Sequence, residues 1–121
     1  MFRGLGNDIV EIERIKKAIE KNSKFRDKVF TAREVEAVSR RSDPYPSYAG
    51  RFAAKEAVSK AFGTGVRGFR LVDIEILNNE LGKPEVVLGG ELAEKYRGYK
   101  VELSISHSRE YATAVAILLE K

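Results

Sequence analysis

The sequence predicts an α+β fold in which helices pack on an antiparallel sheet. Helical periodicities concentrate in the first half of the 121 residues, whereas alternating and continuous apolar runs concentrate in the second half. Helices followed by strands along one chain are typical of this fold class. A chain of this length can bury one modest core, so we expect a single domain over residues 1–121.

The chain begins with a predicted strand at residues 2–10, in which Gly6, Asp8 and Val10 share one face. Glycine and aspartate are both unfavourable inside a strand. This stretch therefore indicates either a strand that something approaches closely or a plain loop. From about Glu11 the apolar spacing becomes that of a helix whose other side is basic.

The next part of the chain contains two predicted helix N-caps and one predicted interruption of regular structure. Ser23 can cap a short helical turn, and Thr31 with Glu34 forms a capping box that starts the following helix. Residues 42–46 contain two prolines within three positions, which predicts a break in regular structure. A further helix is expected to start just after this break.

The second half is predicted to consist mainly of strands. Strands are expected at residues 71–77 and 85–88, followed by a helix at residues 91–96. A hairpin then closes the chain, with an alternating strand at residues 101–106 and a turn at residues 108–110. The apolar run at residues 111–119 predicts a buried central strand.

The helix between residues 51 and 62 carries two signals. Its apolar residues have the spacing of a buried stripe, and they are Ala54, Ala57, Val58, Ala61 and Phe62. The opposite side is predicted to carry Phe52, Glu56, Ser59 and Lys60. Glu56 and Lys60 could form an ordinary stabilising pair, and Gly63 could simply end the helix. An aromatic ring among charges and a second glycine at position 65 favour a functional surface.

Asp8 and Glu56 are candidate metal ligands. Each lies where its own secondary structure gains little from a carboxylate. Two carboxylates suit Mg²⁺, which prefers octahedral oxygen coordination and completes its shell with waters and substrate phosphates. Lys60 could then stabilise a leaving phosphate oxygen, which makes the pattern compatible with phosphoryl transfer.

Composition limits the class of protein. The 22 Lys and Arg exceed the 18 Asp and Glu, and the resulting net charge of +4 suits an acidic partner or a polyanionic ligand. The absence of cysteine excludes disulfides, thiolate metal sites and a cysteine nucleophile. Because neither a membrane span nor a signal peptide is recognisable, we expect a soluble cytoplasmic protein.

Four stretches form a recognisable set. They are residues 4–12 (GLGNDIVEI), 51–65 (RFAAKEAVSKAFGTG), 82–84 (GKP) and 104–107 (SISH). In order and at comparable spacing, they resemble the motifs of the holo-acyl-carrier-protein synthases, which are small phosphopantetheinyl transferases. The resemblance extends from Met1 to the final strand and implies that family's fold.

The resemblance implies transfer of 4′-phosphopantetheine from coenzyme A to a serine of apo-acyl carrier protein. Adenosine 3′,5′-bisphosphate would be released, and the product would support fatty acid biosynthesis. Mg²⁺ is implied on Asp8 and Glu56, with Lys60 as the catalytic acid or charge stabiliser. The implied coenzyme-binding residues are Arg51, Lys60, Gly63, Thr64, Lys83, Pro84 and His107.

The family also implies partners. Its members form homotrimers with active sites between subunits, and the basic first helix would meet an acidic carrier protein. Carrier docking is expected near Arg14, Ala18, Phe25 and Phe52. The base that deprotonates the attacking serine stays open between Glu56 and a water ordered by the two carboxylates.

Two other classes of protein are compatible with the residues alone. A basic module that binds RNA or an acidic protein would agree with the net charge. Nucleic acid is nevertheless not expected, because the five Tyr and six Phe are scattered through apolar periodicities and do not form a basic-aromatic platform. A nuclease or phosphatase could use the same metal-binding carboxylates.

Overall fold

The computed structural model describes residues 1–63 and 69–121. The helices in these ranges are α1 (Ile12–Lys21), α2 (Ser23–Val29), α3 (Ala32–Ser39), α4 (Tyr45–Phe62) and α5 (Gly90–Lys95). The strands are β1 (Phe2–Glu11), β2 (Ile74–Asn78), β3 (Pro84–Leu88), β4 (Tyr99–His107) and β5 (Tyr111–Glu120). The α+β prediction is confirmed. None of the helices described is long and apolar enough to cross a membrane.

The strands form two separate antiparallel units. β5 lies at the centre of a three-stranded sheet with the order β1-β5-β4, as its continuous apolar sequence predicted. The other unit, which we call the β2–β3 ribbon, pairs residues 74–78 with residues 84–88. Alternate residues of β5 are buried against the helices, and they are Ala112, Ala114, Ala116 and Leu118. Three of these four side chains are alanine, which lets helix α4 lie close to the sheet.

β1 and α4 approach even more closely. A Cβ atom added to Gly4 would overlap the carbonyl oxygen of Ala61, and one added to Gly6 would overlap the carbonyl oxygen of Ala57. The two glycines therefore allow the backbones to touch. This contact explains why an unfavourable β sequence forms a continuous strand, and it excludes the loop alternative.

The predicted break at residues 42–46 is wrong in its second half, because α4 begins at Tyr45. Pro46 lies in the first turn of the helix, where an N–H group has no intrahelical partner and its loss costs little. Asp43 accepts a hydrogen bond from the Tyr45 N–H at 3.2 Å. The prolines thus mark the start of an 18-residue helix.

Two other boundaries differ from the predicted ones. α2 is capped by Asn22 and not by Ser23, since the Asn22 side chain accepts a hydrogen bond from the Lys24 N–H. The chain forms a single 3₁₀ turn at Leu71–Asp73, and the strand begins only at Ile74. The capping box of Thr31 and Glu34 is confirmed. The loop predicted between Gly65 and Gly68 lies outside the described residues.

Candidate active site

The contact between β1 and α4 brings Asp8 beside Lys60. Asp8 lies on the inner face of β1, two residues after Gly6. The Lys60 ammonium donates hydrogen bonds to the Asn7 carbonyl oxygen at 2.9 Å and to the Asp8 carboxylate at 3.3 Å. Groups separated by about fifty positions in the sequence therefore share one small polar site at the edge of the sheet.

Glu56 belongs to the same site. Burial raises the pKa of Glu56, and the nearby Asp8 carboxylate raises it further, while Lys60 acts in the opposite direction. A carboxylate whose ionisation is disfavoured by burial and by a neighbouring carboxylate is a suitable ligand for a cation. Among the described residues there is no group of three or more His, Cys, Asp or Glu side chains arranged to hold a metal, so the candidate site offers two carboxylates. The chemistry of two carboxylates fits an ion such as Mg²⁺, which takes few protein oxygens and keeps several waters.

The exposed side of α4 leads from this site to an aromatic pair. Phe52, Glu56 and Lys60 follow one another at intervals of four residues, so they lie along one side of the helix. The Phe52 ring lies 6.2 Å from the ring of Phe25 in α2. Ser59 was also predicted here, but it is buried and its hydroxyl donates to the Lys55 carbonyl oxygen inside α4.

A second concave site lies on the other side of α4. This groove has a volume of about 540 Å³ and lies between the start of α4, the β2–β3 turn and the end of β4. The side chains that matter most for its chemistry are Arg41, Ser47, Arg51, Asn78, Pro84 and His107. Arg51 is fixed by hydrogen bonds to Ser47, to the Ile76 carbonyl oxygen at 3.2 Å and to the Asn78 side chain at 2.8 Å. The groove carries Arg41, the fixed Arg51 and His107 against a single acidic residue, Asp43, so it is mainly basic and suits an anionic ligand.

The predicted coenzyme-binding residues are distributed over more than one place. Arg51, Pro84 and His107 line the groove. Lys83 instead points to Glu102 of β4, 3.2 Å away, and lines a neighbouring depression. Gly63 ends α4 in the left-handed conformation at φ 80° and donates its N–H to the Lys60 carbonyl oxygen. Thr64 lies outside the described residues.

Arg41 and Asn78 did not stand out in the sequence. Arg41 resembled a residue that favourably ends α3, and Asn78 resembled a turn residue. Only the folded chain brings them to one groove, because the segment after α3, the start of α4, the β2–β3 ribbon and the end of β4 meet there.

The sequence profile of the 4′-phosphopantetheinyl transferase superfamily matches residues 4–116. This chain belongs to that superfamily.

Individual relatives are similar along their whole length. The holo-[acyl-carrier-protein] synthase of Fusobacterium nucleatum is 54% identical over 123 residues, which cover 98% of this chain and 100% of that protein. A crystal structure of a holo-(acyl-carrier-protein) synthase from Bacillus anthracis in complex with CoA (3′,5′-ADP) has a TM-score of 0.86 and 37% identity, covering 100% of this chain and 99% of that one. The Helicobacter pylori holo-[acyl-carrier-protein] synthase in complex with coenzyme A has a TM-score of 0.82 and 31% identity, with 94% and 98% coverage. The resemblance to the holo-acyl-carrier-protein synthases and the prediction of an enzyme of that class are confirmed.

Replacing Gly6 by alanine should disturb the candidate site through the contact between β1 and α4. The new methyl group would push β1 away from α4 and so move Asp8 away from Lys60. We expect a loss of about 1–3 kcal/mol in the free energy of unfolding, as for other overpacked interiors. Turnover should also fall at temperatures where the variant is fully folded.

Gly98→Ala is the matched control, because a Cβ atom at Gly98 would meet nothing within 4 Å. Its unfolding free energy should stay within about 0.5 kcal/mol of the original value. Denaturant unfolding and steady-state kinetics of the two variants check this prediction. Equal behaviour of Gly6→Ala and Gly98→Ala would contradict the proposed role of the close backbone contact.

Proposed function

We propose that this chain transfers 4′-phosphopantetheine from coenzyme A to a serine of apo-acyl carrier protein and thereby supports fatty acid biosynthesis in the cytoplasm. The observation that carries the proposal is the meeting of Asp8, Glu56 and Lys60 in a chain of this superfamily. The serine Oγ attacks the phosphorus next to pantetheine, and the bond from that phosphorus to the bridging oxygen breaks. The bridging oxygen leaves with adenosine 3′,5′-bisphosphate, and the serine proton passes to a base.

Asp8 and Glu56 would hold Mg²⁺, with waters and diphosphate oxygens as its remaining ligands. When bound, the ion supplies positive charge that neutralises the diphosphate and orients it for in-line attack. Glu56 suits this site because burial, and after it the Asp8 carboxylate, raise its pKa, and a bound cation would offset both effects. The carboxylates thus gain from a divalent cation what Lys60 alone does not supply.

Lys60 is proposed to stabilise the leaving oxygen. Its ammonium is held by the Asn7 carbonyl oxygen and by Asp8, yet its side chain remains half exposed. A cation that is fixed beforehand at the place where negative charge develops lowers the barrier without reorganising during the reaction. Glu56 or a water ordered by the carboxylates is proposed as the base.

The basic groove is proposed to bind the nucleotide part of coenzyme A. The groove of one copy of the chain would serve the Asp8–Glu56–Lys60 site of another copy. Arg51 and Lys60 are nine residues apart on one helix, so they lie about 180° apart around its axis and about 14 Å apart along it. Because the groove and the Asp8–Glu56–Lys60 site lie on opposite sides of α4, one coenzyme molecule can contact both more easily when they belong to two adjoining copies. We therefore propose a homotrimer with active sites between subunits.

The outer face of the sheet supports self-association. Leu5 and Ile9 of β1 are 60% and 62% exposed, and Val115 of β5 is 44% exposed. They lie on the face opposite α4, where Leu5 pairs with Ile117 and Asn7 pairs with Val115. A run of exposed apolar side chains on a sheet is typical of a protein–protein contact.

The carrier protein is proposed to dock on α1, α2 and the exposed side of α4. Arg14 is exposed on α1, Ala18 lies one turn further on, and the Phe25–Phe52 pair links α2 to α4. Phe52 precedes Glu56 by one helical turn. An acidic carrier bound here would thus deliver its serine next to the two carboxylates.

Incubation with coenzyme A, Mg²⁺ and an apo-acyl carrier protein tests the proposal. Mass spectrometry should record a gain of about 340 Da on the carrier, the mass of the transferred phosphopantetheine. The gain should disappear with a chelator and with Asp8→Asn. A binding module, nuclease or phosphatase would leave the carrier unmodified, and that result would refute the proposed activity.

A further inference from the structure

The β2–β3 ribbon forms one wall of the basic groove without belonging to the main sheet. Asn78, Gly82 and Pro84 of the ribbon line the groove opposite Arg51 and His107. Within the described residues, β2 and β3 are paired with each other and neither is hydrogen-bonded into the three-stranded sheet. The width of the groove therefore depends on whatever attaches this ribbon to the helices.

Charged side chains contribute hydrogen bonds to that attachment, beside the buried apolar side chains of Ile74 and Ile76. The Lys55 ammonium donates to the Ile74 carbonyl oxygen at 2.6 Å, and the Glu34 carboxylate accepts from the Ile76 N–H at 3.0 Å. Arg51 donates to the Ile76 carbonyl oxygen at 3.2 Å. Alternate residues of an antiparallel strand direct both backbone groups to the same edge. Three ionic side chains thus take the place of a neighbouring strand along this buried edge of β2.

Lys55 and Glu34 are bound to each other as well as to β2. Both side chains are 0% exposed, and the Lys55 Nζ lies 2.7 Å from Glu34 Oε1. Lys55 donates a third hydrogen bond to the Leu71 carbonyl oxygen at 3.1 Å, and Glu34 Oε1 also accepts from the Thr31 N–H at 2.9 Å. Every N–H of the ammonium is therefore used.

An apolar pair could not perform this task. A buried ion pair is generally no more stabilising than well-packed apolar side chains, so stability alone does not account for it. Buried backbone N–H and C=O groups, however, require partners, and one strand edge presents both kinds. Lys55 satisfies the carbonyl oxygens and Glu34 satisfies the N–H, which no arrangement of leucines could do.

We propose that Lys55 and Glu34 are positioning residues for coenzyme binding. They fix the β2–β3 ribbon on α3 and α4 and thereby hold Asn78 and Pro84 at the correct distance from Arg51 and His107. The inference rests on the proposed function, because it assigns the groove to coenzyme A. Neither residue touches the groove, so both act through the ribbon.

Lys55→Met and Glu34→Gln test the proposal by separating binding from turnover. Each variant should raise the KM for coenzyme A by about tenfold or more, which corresponds to about 1.4 kcal/mol of lost binding. The kcat and the KM for the carrier should change little, because the Asp8–Glu56–Lys60 site and the carrier-docking face do not depend on β2. Val38→Ala in α3 is the matched control, since it also disturbs a fully buried position. Its KM for coenzyme A should stay near the original value.

Hydrogen exchange supplies a readout that does not depend on activity. The Ile76 amide should exchange faster in Lys55→Met and Glu34→Gln than in Val38→Ala. If the unaltered chain fails to modify the carrier but Ile76 loses protection as expected, the proposed function fails while the anchoring of the ribbon stands. If Lys55→Met does not fold, the KM for coenzyme A of the milder variant Glu34→Gln tests the proposal. An unchanged KM for coenzyme A in the folded variants, or an equal rise in Val38→Ala, would overturn the proposal.

Discussion

Glu56→Gln is expected to lower turnover by orders of magnitude and at the same time to stabilise the metal-free protein. Turnover falls because a neutral amide is a poor ligand for Mg²⁺ and cannot accept the serine proton. Stability rises because folding raises the pKa of Glu56, through burial first and the Asp8 carboxylate second. Ionisation of Glu56 at neutral pH therefore lowers the free energy of unfolding of the metal-free chain.

The pH dependence follows from the same shift. The folded state binds the Glu56 proton more tightly than the unfolded state does. Protonated Glu56 therefore stabilises the fold at low pH, and this contribution is lost as pH rises through the raised pKa. Denaturant unfolding in the presence of a chelator should thus show the stability gain of Glu56→Gln at pH 8 and little gain at pH 4. Near-normal Mg²⁺-dependent transfer by the variant would contradict the assignment of Glu56.

Glu36→Gln provides the control for charge removal. Glu36 lies on the exposed side of α3, where it pairs with Arg40 one turn later. Such exposed pairs contribute little to stability. This variant should therefore keep its turnover and change its unfolding free energy by less than about 0.5 kcal/mol at either pH.

Two inactive variants are expected to restore activity when they are combined in the proposed trimer. Glu56→Gln damages the carboxylate site, and Arg41→Ala/His107→Ala damages the basic groove. If each active site joins the carboxylates of one copy to the groove of the next, some sites in mixed trimers receive two intact halves. Random assembly from equal amounts should make about a quarter of the sites intact.

The complementation experiment requires that subunits exchange. The two variants should be unfolded and refolded together, and the control is the same pair refolded separately and then mixed. Activity at limiting coenzyme A should approach about a quarter of the original value only after joint refolding. Activity that stays at the mean of the separate variants would show that each chain forms its site alone.

The residues of the candidate site could be anticipated because they follow simple periodicities. Alternation along β1 placed Asp8 on the inner face, and a four-residue interval placed Glu56 and Lys60 on one side of α4. The poor β propensity of Gly4 and Gly6 indicated a close approach, but the sequence could not say that the approaching group was the backbone of α4.

The buried ionic residues could not be anticipated in the same way. Periodicity detects one apolar stripe, but α4 is covered by the sheet on one side and by the β2–β3 ribbon on another. Lys55 and Ser59 therefore lie in the interior although their polarity predicts exposure. Lys55 is buried because it binds the edge of β2, a tertiary feature that leaves no local pattern in α4.

The proposed reaction requires that Asp8 and Glu56 of one chain hold a single divalent ion together with coenzyme A. Titration with Mn²⁺, followed by electron paramagnetic resonance in the presence of coenzyme A, measures this directly. The original chain should bind about one ion per subunit, as two carboxylates and a diphosphate can provide. Asp8→Asn and Glu56→Gln should each weaken binding by at least about tenfold. Mn²⁺ affinity that is unchanged in both variants would contradict the account.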